Sequence, residues 1–154
     1  MHQDIKIQPL EEGWKRWWGK VTLFNSDIEG KNFYIDLDMI ITGNLDSLFE
    51  YEGEFATLRT GDLQCEKNHK DGYNSSVMIW QGDLLKPVYN ALKVNFEVIN
   101  KFIVRFDFWL EMTINNADFV QKLYPGKVID FSADAQNELP KDSAVVCFAR
   151  KPKP

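Results

Sequence analysis

The sequence predicts an α/β fold in which a mixed, mostly parallel sheet is flanked by helices. Segments with strand patterns alternate along the chain with segments in which apolar residues recur at helical spacing. Apart from Asn32 and two aspartates, residues 32–41 are apolar on both parities, as in a strand covered on both faces. The 154 residues are 44% hydrophobic and 27% charged, which is typical of one globular domain spanning 1–154.

The first elements follow from local patterns. Alternation of apolar and polar residues predicts a short strand over 4–10, and helical spacing of apolar residues predicts an amphipathic helix over 14–24. The strand over 32–41 comes next. A short helix is then expected to open at Gly43-Asn44, where the Asn44 side chain can act as its cap.

The middle of the chain contains two further strands and a long helix. Short apolar runs predict strands over 55–59 and 76–80. Between them, residues 59–73 are rich in Gly, Asp, Lys and Asn, which predicts a mobile loop. Apolar residues at spacings of three and four predict a helix over 85–99, with Pro87 tolerated in its first turn.

The last third repeats the helix and strand pattern. A second helical stretch is predicted to start at Asp107 and to stop near Pro125-Gly126. Two final strands are predicted over 127–131 and 144–148. The chain then ends in the basic, proline-spaced tail 150–154.

Composition and charge exclude several functional classes. The formal net charge is -5, and no stripe of Lys and Arg is present, so no nucleic-acid partner is expected. No stretch approaches the ~20 apolar residues of a membrane span, and charged residues interrupt the start of the chain, which predicts no transmembrane segment and a cytoplasmic protein. Cys65 and Cys147 lack metal-ligand spacing and are predicted to be inert thiols.

Asp36 and Asp38 are the most informative polar residues. Side chains two positions apart on a strand point to the same side, so the two carboxylates are expected to converge where the strand leaves the sheet. Hard ions such as Mn²⁺ and Mg²⁺ prefer oxygen ligands and are often shared between carboxylates and substrate phosphates. The pair therefore predicts a metal-diphosphate site, and the alternative is that both side chains cap a turn or face water.

Polar residues elsewhere suit a sugar or a phosphate. Asn74 and Ser75 precede an apolar strand, and their amide and hydroxyl groups match the hydroxyls of a sugar. The alternative is an ordinary turn entering a strand. Lys151 and Lys153 lie on the proline-spaced tail, where they can neutralise phosphates, or form a solvated chain end.

The two predicted helices add further candidates. Lys20 is a candidate partner for an anionic ligand. The tryptophans of the same helix are interpreted as core, the alternative being that they stack on a base or a sugar. Asp107 and Glu111 share one helix face, where either can act as a base or bind an acceptor hydroxyl, the alternative being a solvated acidic face. His2 and His69 are isolated and are predicted to be neither base nor metal ligand.

Four segments, distributed along nearly the whole chain, form an ordered set. They read WWGKVTLF (17–24), FYIDLDMIITGNL (33–45), NSSVMIW (74–80) and KPKP (151–154). Together they resemble the GT-A-fold glycosyltransferases related to family 8. The resemblance implies a GT-A-like sheet and the transfer of a sugar from a nucleotide-diphosphate sugar, such as a UDP-sugar, to an acceptor that the residues do not identify.

The resemblance also implies roles for particular residues. It places Mn²⁺ or Mg²⁺ on Asp36 and Asp38, with Asp38 as the direct ligand and Asp36 meeting the metal or the donor ribose. A metal there would act as a Lewis acid on the leaving nucleoside diphosphate. Contacts to the donor are implied for Lys20, Asp36, Asn74, Ser75 and Lys151.

The chain departs from the family pattern at two places. Few residues precede the Trp-Trp segment, whereas the family begins with a strand and a helix that form much of the base pocket, so the fold is expected to be incomplete at its N-terminus. Relatives often carry a His before the Lys-Pro motif as a further metal ligand. Phe148-Ala149-Arg150 contains none.

Two other functional classes stay open. A non-catalytic sugar or nucleotide-sugar binding module would use the same residues without turnover. A haloacid-dehalogenase-like phosphohydrolase also places Asp-x-Asp after an apolar strand and uses the first Asp as its nucleophile. Such enzymes usually have Thr or Val two positions after the second Asp, where this chain has Ile40.

Overall fold

The computed structural model of the chain describes residues 9–11, 13–14, 16–25, 29–63, 69–151 and 153–154. Within these residues, mixed sheets are flanked by helices, which confirms the predicted α/β class. The strand predicted over 4–10 falls mostly outside the described residues. Among the described residues, no helix combines the length and the apolar character needed to cross a bilayer.

The elements are short apart from one strand and one helix. The strands are β1 (Lys31–Ile35), β2 (Met39–Ile41), β3 (Phe55–Arg59), β4 (Tyr73–Gln81), β5 (Asp118–Phe119), β6 (Val128–Asp130) and β7 (Val145–Cys147). The helices are a 3₁₀ helix (Arg16–Asn25), α1 (Asp46–Phe49), α2 (Lys86–Phe102), α3 (Phe106–Thr113), α4 (Val120–Leu123) and α5 (Phe131–Asp134).

The strands form two sheets. The first has the order β1-β4-β3-β5 and the second the order β2-β7-β6. The pairs β1/β4, β3/β4 and β2/β7 are antiparallel, whereas β3/β5 and β6/β7 are parallel. The sheets are therefore mixed, but the described pairings are mainly antiparallel rather than mostly parallel as predicted. One reason is that β3 and β4 follow each other along the chain, so the second strand returns along the first.

The strand predicted over 32–41 is in fact two strands in different sheets. β1 ends at Ile35 and β2 begins at Met39, and the chain turns between them. The Asp36 amide still donates to the Ser76 carbonyl at 2.9 Å, whereas the Leu37 side chain is fully exposed. Asp36 and Asp38 therefore lie in a turn where the chain crosses from one sheet to the other, not at alternate positions of one strand.

Alternate side chains of β4 enter two separate cores. Met78 and Trp80 belong to a cluster with the 3₁₀ helix, α2 and α3. Val77 and Ile79 belong to a second cluster that includes residues of α4, β6 and β7. β4 thus lies at the centre of the molecule, because both of its faces are covered.

The helix predictions are confirmed in part. α2 matches the predicted helix and has Pro87 in its first turn. The helix predicted from Asp107 to near Pro125 instead ends at Thr113, and β5 and α4 follow it. Asn115 and Asn116 lie at this break, and asparagine is a weak helix former. The helix predicted over 14–24 is a 3₁₀ helix.

Candidate functional site

A cavity of about 290 Å³ opens beside the turn between β1 and β2. The start of β4, the start of α3 and the chain after β7 form its other walls. Most of the residues singled out in the sequence lie here. The cavity is lined by Lys20, Asp36, Asp38, Asn74, Ser75 and Asp107, together with Trp17, Arg105 and Lys153.

Asp36 is held by two side chains. The Lys20 ammonium lies 2.8 Å from Oδ2 of Asp36, and the Tyr34 hydroxyl donates to Oδ1 at 2.5 Å. Lys20 also makes longer contacts of 3.3 Å to the carbonyl and to the hydroxyl of Ser75. The ion pair is mostly buried, since the Lys20 and Asp36 side chains are 15% and 21% exposed.

Tyr34 stays protonated over the whole physiological range. Burial, the hydrogen bond to Asp36 and the negative charges of Asp36 and Asp38 together raise the pKa of Tyr34 far above its ordinary value. Each of these effects disfavours the phenolate. The phenol therefore acts as a permanent hydrogen-bond donor that fixes one oxygen of Asp36 and leaves the other oxygen facing Lys20.

Asp38 is paired with a lysine from the C-terminal tail. The Lys153 ammonium lies 2.6 Å from Oδ2 of Asp38 and donates to the Phe148 carbonyl at 2.5 Å. The tail therefore folds back over the cavity. Lys151 is exposed and does not line the cavity, so its donor contact stays a prediction. Each of the two tail lysines precedes a proline, so the sequence pattern could not show which of them lines the cavity.

A bulge in β4 turns its first residues toward the cavity. Thr57 pairs with Met78, but the next residue, Leu58, pairs with Asn74, so the backbone register of β3 skips residues 75–77. Bulges of this kind redirect side chains and often lie beside functional sites. Asn74 and Ser75 are thus part of β4 itself rather than a turn before it.

The acidic face of α3 is bonded to β4. Oδ1 of Asp107 accepts from the Ser75 amide at 2.8 Å, and Asp107 lines the cavity. Glu111 accepts from the Tyr73 amide at 2.7 Å and contacts His69 Nε2 at 2.8 Å. Glu111 does not line the cavity. No local sequence pattern predicts the contact between Glu111 and His69, which lie 42 positions apart.

The described ligand set fits a divalent ion poorly. Both oxygens of Asp36 have partners, and one oxygen of Asp38 is bonded to an ammonium group. Within the described residues, no group of three or more His, Cys, Asp and Glu side chains is placed to hold a metal ion. A bound Mn²⁺ or Mg²⁺ would have to displace Lys20 or Lys153 or lie against it. Binding of a metal at this site stays a prediction.

A second groove of about 450 Å³ adjoins the cavity. Trp17 and Arg105 line both spaces, and Arg16 and Asn100 line the groove alone. Trp18 is buried as predicted, but Trp17 is 53% exposed, so its interpretation as a core residue is wrong. The periodic spacing of the tryptophans could not separate the two, because it predicts a face and not the depth to which that face is buried.

Comparisons with known proteins give the fold a context. No protein-family model matches the chain, and no curated protein matches it in sequence. The crystal structure of the glycosyltransferase GlyE from Streptococcus pneumoniae TIGR4 is similar, with a TM-score of 0.65 and 16% identity over 88% of this chain and 38% of that one. The apo form of GlyE gives a TM-score of 0.66 and 16% identity over 97% of this chain and 40% of that one.

Identity this low shows the fold alone. The chain therefore has a glycosyltransferase-like fold, and the similarity does not single out family 8. The chain spans about 40% of the length of these two structures.

Proposed function

We propose that the chain is a glycosyltransferase domain whose cavity binds a nucleotide-diphosphate sugar, such as a UDP-sugar, for transfer to an acceptor. One observation carries the proposal. The same cavity is lined by the ammonium groups of Lys20 and Lys153 and by the polar side chains of Asn74 and Ser75. Ammonium groups suit a diphosphate, and amides and hydroxyls suit a sugar. The glycosyltransferase-like fold supports the same conclusion.

The chemistry of the residues gives each part of the donor a partner. The lysines offset the negative charge that grows on the diphosphate as the glycosidic bond breaks. Asn74 and Ser75 bind the sugar hydroxyls. Asp107 is the candidate base or acceptor-hydroxyl ligand, because a carboxylate that accepts one amide bond keeps further acceptor sites. Glu111 would reach the reacting atoms only after the chain around it moved.

The groove beside the cavity is proposed to hold the acceptor. Trp17 presents an exposed indole at the boundary between the two spaces. An aromatic ring in that position offers a flat apolar surface with a polar N–H at its edge, which suits an amphipathic acceptor such as a sugar ring. The exposed Arg16 lines the same groove, so an acceptor that carries a negative charge fits it better than a neutral one.

A ligand titration tests the proposed function. UDP that binds only the native chain is expected to raise the melting temperature by about 5–10 °C at a hundredfold excess over its dissociation constant. Uridine, which lacks the diphosphate, should give little shift. In Lys20→Met the shift with UDP should be lost, whereas the exposed Lys141→Met should keep it. An equal shift in Lys20→Met and in the parent would contradict the proposal.

A binding module is the second candidate. The acidic side chains of α3 are engaged by backbone amides of β4, which favours a structural role for them over catalysis. Binding of a UDP-sugar without its hydrolysis or transfer would support this alternative. A phosphohydrolase, the third possibility, would instead release phosphate from a phosphomonoester, and this activity would depend on Asp36.

A further inference from the structure

We propose that the site binds its diphosphate ligand without a divalent metal ion, because the Lys20 and Lys153 ammonium groups take the positions that a metal would hold against Asp36 and Asp38. This inference rests on the proposed function and concerns the cation that the site uses.

The two carboxylates of the site are already neutralised without a metal ion. Two carboxylates that share one divalent ion are neutralised by two positive charges. Here the same two carboxylates are neutralised by two ammonium groups, at 2.8 Å on Asp36 and at 2.6 Å on Asp38. A divalent ion that entered between Asp36 and Asp38 would meet two carboxylates that are already paired, and both lysines would repel it.

A backbone carbonyl also helps to hold each lysine in place. Lys153 is bonded to the Phe148 carbonyl as well as to Asp38, and Lys20 is in contact with the Ser75 carbonyl as well as with Asp36. The aspartates therefore act as positioning residues that aim the ammonium groups. Both lysines line the same cavity, so a diphosphate lying there meets two ammonium groups that are already oriented as hydrogen-bond donors.

Each ammonium group keeps donor capacity for a phosphate oxygen. An ammonium has three donors, and Lys153 uses two of them, on Asp38 and on Phe148. The contacts of Lys20 with Ser75 are long, at 3.3 Å, and phosphate oxygens can replace them while the 2.8 Å pair with Asp36 stays intact. The carboxylates need not leave for the ligand to bind.

Calorimetry with UDP, with and without metal, tests the inference. The parent chain should bind UDP in excess EDTA with an affinity within about threefold of that in Mn²⁺. Lys153→Met should weaken binding in EDTA about tenfold or more, whereas Lys141→Met should not. Asp38→Asn should weaken binding in EDTA less than Lys153→Met does, because it removes the group that positions the ammonium and not the ammonium itself.

Metal rescue provides a second readout. Lys153→Met frees Asp38, so added Mn²⁺ should restore part of the UDP affinity in this variant but add none to the parent. Similar melting temperatures for the two chains without ligand would show that the variant is folded. Rescue in Lys153→Met alone would support the inference.

Three outcomes would overturn the inference. UDP binding by the parent that requires Mn²⁺, or a loss of affinity in Asp38→Asn that exceeds the loss in Lys153→Met, would return the site to a metal mechanism. UDP affinity that is the same in Lys153→Met and in the parent would remove the lysine from the site. No binding of UDP in either buffer would instead contradict the proposed function, and with it the inference.

Discussion

Tyr34 of β1 contacts both members of the Lys20–Asp36 ion pair. It lies two positions before Asp36, so its hydroxyl can reach the carboxylate from the same side of the chain. Its ring also lies near Lys20, whose ammonium is 5.5 Å from the ring centroid. One tyrosine thus orients the anion and contacts the cation of the Lys20–Asp36 pair.

The raised pKa of Tyr34 makes stability depend on pH under alkaline conditions. Below about pH 10 the tyrosine is protonated in both the folded and the unfolded chain, so its contribution is fully present. Above that pH the unfolded chain releases the proton and the folded chain keeps it, because the pKa is raised only in the folded state. The free energy of unfolding should then fall by up to about 1.4 kcal/mol per pH unit from this residue.

Urea unfolding of the parent and of Tyr34→Phe above about pH 10 measures this effect. The variant should be less stable near neutrality, because Asp36 loses a hydrogen bond worth about 1.5–3 kcal/mol. Its stability should decline less steeply with pH than that of the parent. Tyr51, whose pKa is also raised by burial and by its bond to Asp118, contributes equally to both chains and cancels from the comparison. Parallel declines would contradict the assignment to Tyr34.

Many residues of the candidate site could be predicted from the sequence. The contacts that these residues make with each other could not. The sequence singled out Lys20, Asp36 and Asp38, and the structure brings all three to one cavity. The partner of Asp38, however, is Lys153, which is 115 positions away along the chain. Local patterns carry no information on such a contact, because it depends on how the tail returns over the sheet. Roles in binding or catalysis stay predictions for all of these residues.

At the scale of elements, α2 shows how a helix is stabilised by one face only. Val88, Tyr89 and Leu92 are buried, whereas Val94 and Val98 are exposed. Leu92 has no exposed surface and packs in the cluster that contains Trp18 and Trp80. Most of the stability of such a helix comes from packing of its apolar face rather than from the helix itself.

Truncation of the buried face should therefore cost far more than truncation of the exposed one. We expect Leu92→Ala to lower the free energy of unfolding by about 2–5 kcal/mol, because it leaves a cavity in the core. Val98→Ala should change it by no more than about 0.5 kcal/mol. Chemical denaturation followed by circular dichroism measures both values. A loss in Val98→Ala as large as that in Leu92→Ala would show that a partner covers the outer face.

The elements that the sequence predicted well are those with a long, uniform pattern. α2 repeats its apolar spacing over several turns, and β3 and the apolar end of β4 are bounded by polar segments. The predicted strand over 32–41 was wrong in extent, because an apolar run does not reveal that a chain passes from one sheet to another. The direction in which strands pair is equally hidden, since it depends on residues far apart in the chain.

At the scale of the whole molecule, β4 joins the two cores. Its alternate residues enter the cluster under the helices and the cluster that faces the second sheet. Neither cluster can come apart without exposing one face of the same strand. The described part of the chain is therefore expected to unfold as one cooperative unit.

Two probes that report on different parts of the molecule test this expectation. Trp18, Trp80 and Trp109 all lie in the first cluster, so tryptophan fluorescence follows that cluster most closely. Far-ultraviolet circular dichroism follows the helices and both sheets. The two urea transitions should coincide in midpoint and slope. A fluorescence transition that precedes the circular dichroism transition would show that the first cluster opens by itself.

The turn from Asp36 to Asp38 is also where the two sheets are joined. Lys20 contacts Ser75 of the first sheet, whereas Lys153 contacts Phe148, which directly follows the second. The separation of the two ammonium groups is thus set by the relative placement of the sheets. Any shift of one sheet against the other would change the spacing of the two ammonium groups, so the affinity of the proposed site for UDP would depend on how the two sheets are docked.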